Sequence, residues 1–472
     1  MSVAEKFERA DRADEIVARL DRLPASRPIW RIVLLLSLGG AFEFYDIFIT
    51  GYVAPGMVRD GLFTPESLGI FNALAGLGVT GTGTFVFMTF AGFYVGTLLL
   101  GAVADRFGRR AIFTASLIWY SVATLFLAFQ STGFGADLWR FVAGIGLGVE
   151  LVTIGAYLAE LVPREQRGRA FAVNQIVAFT AVPLVALLAW LLADASPLGL
   201  AGWRWVVLIG SAGAVIVWLI RLGLPESPRW LARQGRLGEA ERITASLEAA
   251  IAAEGLVLPP PGAAVAEPGG PGGFAEICRP PLRRRTIMLS VFQFSQAIGF
   301  YGFAAWVPSV LIAKGIHVTQ SLEYSFIIAI ANPFGPLIGF FFADRVERKW
   351  QIVGAALCVA CFGLIFAGQT ESAPLILCGV LVTLANNWMS FAFHNYQAEL
   401  FPTRIRARAV GFVYSWSRVS AAFAGLVISL LLARGGVEAV FLFIAGAMAM
   451  VAISIGGFGP RSTGLALEKI SR

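Results

Sequence analysis

The stretch Ala159-Glu160-Leu161-Val162-Pro163-Arg164-Glu165-Gln166-Arg167-Gly168-Arg169-Ala170 returns later as Ala398-Glu399-Leu400-Phe401-Pro402-Thr403-Arg404-Ile405-Arg406-Ala407-Arg408-Ala409, with seven of twelve positions identical. A second passage does the same. Ala104-Asp105-Arg106-Phe107-Gly108-Arg109-Arg110 is matched by Ala343-Asp344-Arg345-Val346-Glu347-Arg348-Lys349. Both pairs are 239 residues apart. A fixed offset marks a duplicated structural unit, so the chain reads as two similar halves.

Working outward, the segments between these passages are apolar. Of 472 residues, 57% are hydrophobic and 14% charged, with a mean hydropathy of +0.73. A soluble domain carries about 25% charged residues, so the exterior must face lipid. A span needs roughly 20 apolar residues. Twelve such runs lie near 30–53, 85–104, 111–130, 138–159, 170–193, 204–223, 286–312, 323–343, 350–368, 374–397, 409–432 and 437–458. Their length and all-round apolarity predict helices; a barrel would show short alternating segments. If the N-terminus is cytoplasmic, 31 of the 37 Lys and Arg residues fall on the cytoplasmic side and three, Arg59, Lys314 and Arg434, on the outer side. This asymmetry predicts both termini inside. The net charge of +7 is therefore topological and points to no nucleic-acid partner.

The expected architecture is an all-α integral membrane protein of twelve transmembrane helices in two pseudo-symmetric six-helix bundles. Its parts are a cytoplasmic N-terminal segment (1–29), a first bundle (30–223), a central cytoplasmic loop (224–285), a second bundle (286–458) and a cytoplasmic tail (459–472). The first 31 residues are charged, and no cleavable leader is expected, because the first apolar run is too long for one and lacks a small-residue cleavage site. Residues 3–23 read as a charged helix. In the central loop, Leu237, Ala240, Ile243, Leu247 and Ile251 share one helical face, and residues 259–273 form a Pro/Gly linker. Cys358 and Cys361 lie inside an apolar run and read as small packing residues.

Gly101-Ala102-Val103-Ala104-Asp105-Arg106-Phe107-Gly108-Arg109-Arg110 resembles the cytoplasmic signature of the major facilitator superfamily, and Arg140-Phe141-Val142-Ala143-Gly144-Ile145-Gly146-Leu147-Gly148 resembles its fourth-helix motif. Pro225-Glu226-Ser227-Pro228-Arg229-Trp230-Leu231 is similar to the motif after the sixth helix in the sugar-porter branch. Tyr301-Gly302 followed by Trp306-Val307-Pro308 looks more like nicotinate-, organic-anion- and synaptic-vesicle-glycoprotein-like porters. Gln293 and Gln296 stand where sugar porters carry paired glutamines, without the asparagine that usually follows. Ala18-Arg19-Leu20-Asp21-Arg22-Leu23-Pro24 is similar to bacterial metabolite porters. The resemblance implies gating by charge networks at helix ends, carried here by Asp105, Arg106, Arg109, Glu160 and Arg169 in the first half and by Asp344, Arg345, Glu399 and Arg408 in the second. The alternative is ordinary neutralisation of helix ends.

Intramembrane charges cost at least about 2.5–3.5 kcal/mol each at mid-helix. Glu43 and Asp46 share a helix face at i,i+3, and Asp46 lies roughly 24 Å into its helix. Arg140 reaches a similar depth. An Asp46–Arg140 pair would release on protonation, as a proton-coupling switch requires; a permanent structural pair is the alternative. Asp46 in Tyr45-Asp46-Ile47-Phe48-Ile49-Thr50-Gly51 also looks like the proton-coupling aspartate of sugar-porter-type symporters, with Glu43 second to it. Arg418, roughly 14 Å into the eleventh span, is the candidate for a substrate carboxylate, which a guanidinium holds bidentately. It could equally neutralise Glu150 or Glu43. Gln293, Gln296, Tyr301, Asn386, Asn387, Trp388, Tyr414 and Glu150 complete the expected binding set, with Trp416 beside them. Gly144 and Gly148 read as a close helix contact. His394 is a polar residue near the inner end of the tenth span.

The expected function is a secondary active transporter working by alternating access, most simply a proton-coupled symporter of a small organic anion or related metabolite. A proton-coupled sugar or polyol porter is the alternative, and a non-transporting sensor on the same fold is one of another class. With two histidines and no HExxH, GxSxG or Walker-type loop, neither an enzyme nor an ATP-driven pump is expected. No cofactor or metal is expected, the proton gradient being the energy source. The partners are the lipid bilayer, protons and a small-molecule substrate, and the chain is expected to work as a monomer in the cell membrane.

Overall fold

Apolar runs with no room for unsatisfied backbone groups in lipid must close their hydrogen bonds internally, and they do so as helices. The computed structural model describes residues 3–100, 106–261, 274–280, 282–342 and 345–461. Asp105 and Asp344, both expected at the gate, lie outside the described residues. Among those residues no strand occurs. The helices are α1 (Val3–Asp21), α2 (Arg27–Arg59), α3 (Gly81–Leu100), α4 (Arg109–Leu127), α5 (Gly133–Leu161), α6 (Arg167–Leu191) and α7 (Gly202–Leu222). They continue with α8 (Pro228–Arg233), α9 (Leu237–Ala252), α10 (Leu282–Ala304), α11 (Val307–Ala313), α12 (Val318–Ala329), α13 (Phe334–Phe342), α14 (Arg348–Gly368), α15 (Ser372–Glu399) and α16 (Thr403–Phe458). Among the described residues, nine stretches are long and apolar enough to cross a membrane.

Two expected spans are interrupted. The run 286–312 breaks between α10 and α11, where Pro308 enters the first turn of the new helix. The run 323–343 breaks between α12 and α13 at Pro333, which lacks the donor a helix interior needs. The longest stretch also needs a break. Fifty-six helical residues would run about 84 Å, against a hydrocarbon core of about 30 Å. At Gly436 the backbone takes φ 66°, ψ −163°, a conformation glycine alone adopts readily. The chain folds back there, since Ile428 and Ile444 both border Gly302 on α10.

Small residues allow the closest helix contact. A Cβ at Gly144 or Gly148 on α5 would lie 2.4 Å from the Thr89 carbonyl oxygen or 2.2 Å from that of Phe93 on α3, so the two backbones touch as the spacing predicts. Bulky apolar side chains such as Leu34, Trp119, Phe126, Leu191, Phe341, Phe423 and Ile453 are exposed on the outside, as lipid-facing residues should be. Cys358 and Cys361 are exposed as well, so they sit on that outer surface instead of packing inside.

Both chain ends lie on one face. The α1 helix docks on α8 and α9, and Ala240, Leu247 and Ile251 of the expected apolar stripe are buried beneath it, with Leu237 and Ile243 half-buried. Arg19 forks onto Glu248 (2.5 and 3.1 Å) and Glu241 (2.6 Å), and Arg22 adds a second contact to Glu248 (2.5 Å). These donated bonds hold the Glu248 carboxyl below its ordinary value and raise Arg19. At the other end of the chain, the Gly459 carbonyl accepts from Lys349 (2.9 Å). On the opposite face the two halves are sealed to one another. Ser429 Oγ accepts from the Thr80 amide at 2.7 Å and exchanges a hydroxyl bond with Thr80 at 2.8 Å. Thr319 donates to Asp194 (2.6 Å), and Arg434 donates to the Leu77 carbonyl (2.5 Å). Trp190 stacks on Phe326, and a Cβ at Gly51 would strike the Ala305 carbonyl oxygen at 2.4 Å.

Candidate functional site

Asp46 is where the bundle interior becomes polar. Its Oδ2 accepts from Arg140 Nη1 at 3.0 Å and its Oδ1 from Thr124 Oγ1 at 2.9 Å; Arg140 Nη2 donates to the Asp46 carbonyl. Arg140 Nε is shared between Thr50 Oγ1 (3.0 Å) and Thr89 Oγ1 (3.2 Å). Four helices, α2, α3, α4 and α5, thus converge on one fully buried ion pair. Low dielectric strengthens the pair, and the extra hydroxyl bonds satisfy what the pair alone would leave open.

One turn earlier on α2, Glu43 is 1% exposed and its Oε1 has no hydrogen-bond partner. Glu150 on α5 is fully buried, and neither carboxylate oxygen has a partner of hydrogen-bonding geometry. Its surroundings are the Tyr120 hydroxyl, Glu43 and Asp46.

Arg418 lies across from Glu43, on the seam between the halves. Its Nη1 donates to the Tyr301 hydroxyl at 3.0 Å. The guanidinium sits over the rings of Phe93 (4.2 Å) and Tyr414 (4.6 Å), and its Nε is buried without a partner. Phe93 comes from α3, whereas Tyr301 and Tyr414 come from α10 and α16. A cation between aromatic faces with an open donor is suited to a flat anion. Phe90 packs on Tyr301 (4.5 Å between centroids), and Phe300 meets Phe48 (6.3 Å) and Phe179 (6.2 Å), so an aromatic layer crosses the seam.

The amides form a separate group. A cavity between the halves is lined by Tyr52, Phe300, Ser325, Asn332, Thr383, Asn386 and Asn387 among others. Asn387 donates to the Asn332 side chain (3.0 Å), while the Oδ1 atoms of Asn386 and Asn387 are buried without a partner. Gln293 is buried with its Nε2 unpaired, and Gln296 is buried beside it on α10. Trp388 stands apart from this group: its Nε1 donates to Gln351 on α14 (3.1 Å), so it braces that helix. Trp416 is exposed on the outer surface. His394 bonds the Ser390 carbonyl through Nδ1 (2.7 Å), and its ring lies 5.9 Å from that of Tyr414.

At the face of the chain ends, Arg109 pairs with Glu160 (3.0 Å) and Arg348 with Glu399. The two pairs are related by the repeat offset of 239 residues. Of the residues expected there, Arg106, Arg169, Arg345 and Arg408 are exposed, and it is Arg348 that answers to Arg109. Glu226 accepts from the amides of Arg109 (3.0 Å) and Arg110 (3.1 Å), capping α4. A Cβ at Gly108, with φ 100°, would lie 2.5 Å from the Glu226 carboxylate, which explains the glycine. Asp21 bonds Arg229 (2.6 Å) and ties α1 to α8.

Two residues escaped the sequence reading. Glu226 was legible only as part of a motif. Asp137 is fully buried with both oxygens unpaired, yet the run assigned from residue 138 left it in a loop. Thr132 accepts from the Gly135 amide and starts α5 at Gly133, which carries Asp137 inside, one turn from Arg140. Their i,i+3 spacing was the available signal.

A helical membrane bundle whose deep charges, among the described residues, line its interior and the seam between two repeated halves has the build of a membrane transporter of small molecules. The chain belongs to the family described as Sugar (and other) transporter, whose model matches residues 32–472. It is therefore a multi-pass membrane transporter of the major facilitator superfamily and no enzyme. It is 28% identical over 450 residues to the putative metabolite transport protein YyaJ of Bacillus subtilis, covering 94% of this chain and 95% of that one. It is 26% identical over 462 residues to the niacin transporter NiaP of Acinetobacter baylyi, covering 97% and 99%. Among solved structures it is similar to the xylose transporter XylE from E. coli in a partially occluded inward-open conformation, with a TM-score of 0.74, 20% identity and 93% and 100% of the two chains covered.

Proposed function

We propose that this transporter is a proton-coupled symporter of a small, ring-containing carboxylate, working by alternating access between two six-helix bundles with both termini cytoplasmic. The observation that carries the substrate class is Arg418, a buried cation between two aromatic rings with an unpaired Nε on the seam. The similarity to a niacin transporter supports it, since niacin is a pyridine carboxylate. Twelve spans follow if α3 and α7 cross the membrane and α16 counts twice. Positive-inside asymmetry supports the orientation. Asp46 carries the proton in this reading, with Arg140 as the partner it leaves when protonated, and the Arg109–Glu160 and Arg348–Glu399 pairs latch the cytoplasmic ends. The seal on the opposite, outer face supports an inward-facing or occluded state. The amide-lined cavity favours a second reading, a sugar or polyol, because such side chains suit hydroxyl groups.

Uptake by proteoliposomes separates these readings. Asp46→Asn is expected to abolish uphill uptake driven by a pH gradient while sparing counterflow exchange; unchanged uphill uptake removes Asp46 from the coupling role. Arg418→Gln is expected to weaken nicotinate far more than its neutral amide. An equal loss for both makes Arg418 structural, and wild-type binding of xylose without nicotinate favours the sugar reading.

A further inference from the structure

Two buried carboxylates next to one another have no partner that explains their charge. Glu43 is 1% exposed and Glu150 is fully buried, and three of their four oxygens have no hydrogen bond. Glu150 Oε1 lies 3.5 Å from where a Cβ would stand on Gly39, one turn before Glu43 on α2, within electrostatic reach of Glu43. Any side chain at residue 39 would also strike the Phe113 ring, at 2.5 Å. Glycine therefore leaves the space that Glu150 occupies. The titratable and charged groups facing the two carboxylates are Arg418 and Tyr301 across the seam, Tyr120 on α4, and Asp46, whose charge Arg140 already answers, while Tyr414 lies against Arg418. Asn174 on α6, which borders Gly40, is neutral. Among the described residues Arg418 is thus the cation that can answer the pair, and it faces Glu43 from the other half.

Two carboxylates sharing a desolvated site hold a proton between them, because ionising both places like charges together in low dielectric. We propose that Glu43 and Glu150 form a second proton-binding site, separate from Asp46, and that Arg418 links its occupancy to substrate. The linkage rests on the reading that Arg418 takes a carboxylate. The charges balance simply. Without substrate, the pair keeps one proton and one negative charge, which Arg418 offsets. When a substrate carboxylate engages Arg418, that positive charge is spent on the anion. The pair then takes a second proton from solution and becomes neutral. When the anion leaves, Arg418 again faces Glu43 and the second proton is released. Through this site one proton therefore travels with each carboxylate, beside the one that Asp46 carries, and no net charge is left buried at the seam. By linkage the converse holds: protonating the pair frees Arg418 and tightens anion binding.

The test uses the purified full-length chain in lipid nanodiscs and has two arms. In the first, infrared spectra are recorded without substrate at neutral pH, in the region of the protonated carboxyl stretch. The Glu43→Gln/Glu150→Gln double variant is expected to lose a band that Asp46→Asn retains. Superimposable spectra of the wild type and the double variant overturn the proton site. In the second, nicotinate is added to weakly buffered protein. The wild type is expected to take up close to one proton per nicotinate bound, and the Glu43→Gln/Glu150→Gln double variant to bind with that uptake lost. Nicotinate binding by the wild type without proton uptake overturns the linkage. If Arg418→Gln binds nicotinate as tightly as the wild type, or the wild type does not bind it, the anion reading fails while the infrared result still decides the proton site.

Discussion

Asp46 and Arg140 satisfy each other so completely that neither can be removed quietly. Deleting one partner of a buried ion pair typically costs about 3–5 kcal/mol, because the other charge is stranded. Asp46→Asn and Arg140→Gln are each expected to lower the unfolding stability in detergent by about that much, and the double variant by much less than their sum. Losses that simply add would mean the pair contributes nothing as a pair. This pair was legible in the sequence because depth and charge are both countable along a helix. Trp388 was not, because direction around a helix apolar on every face has no periodicity to betray it. The tryptophan bonds Gln351 on the neighbouring helix, which only packing could reveal.

Elements show a similar division. The apolar stripe of α9 was readable from its 3.6-residue period, but its cover, α1, was not, since the contact is made by charges far apart in sequence. Glu248, with a side chain 12% exposed, receives bonds from Arg19 and Arg22. Its folded-state pKa lies below the unfolded one, so its contribution is present above the unfolded value of about 4.3 and is lost as pH falls through the folded one. Docking of α1 is therefore expected to weaken only under acid conditions below that value. Glu248→Gln should loosen α1 at neutral pH by about 1.5–3 kcal/mol, the scale of hydrogen bonds to charged groups. Amide hydrogen exchange in α1 reads both; protection unchanged by the substitution would place the hold elsewhere. The break at Gly436 shows what length alone can tell: two runs were legible, and the backbone that separates them was not.

At the scale of the whole molecule, the repeat offset of 239 residues predicted two like halves, and Arg109–Glu160 and Arg348–Glu399 obey it to the residue. Which ends of the halves meet was not encoded in any motif, because the contacts are scattered single side chains and main-chain groups far apart in sequence. Thr80 and Ser429 lie with their hydroxyls 2.8 Å apart, so cysteines placed there would bring their sulfurs within reach of one another. The Thr80→Cys/Ser429→Cys protein is expected to lose counterflow exchange on oxidation and regain it on reduction. Exchange that continues in the cross-linked protein would show that this contact need not open.

That seal has a further meaning for speed. Within each half several joints are ion pairs, whereas among the described residues no salt bridge joins one half to the other on the outer face. Among the described residues the polar contacts between the halves on that outer face are single hydrogen bonds, each contributing about 0.5–1.5 kcal/mol net, or somewhat more where one partner is charged, beside the Trp190–Phe326 stack. Two stiff bodies meeting along a weak, mostly neutral joint can separate often without either body loosening, and added salt has little in that joint to screen. The pace at which the transporter changes sides should therefore depend far less on ionic strength than the grip of α1 on α9.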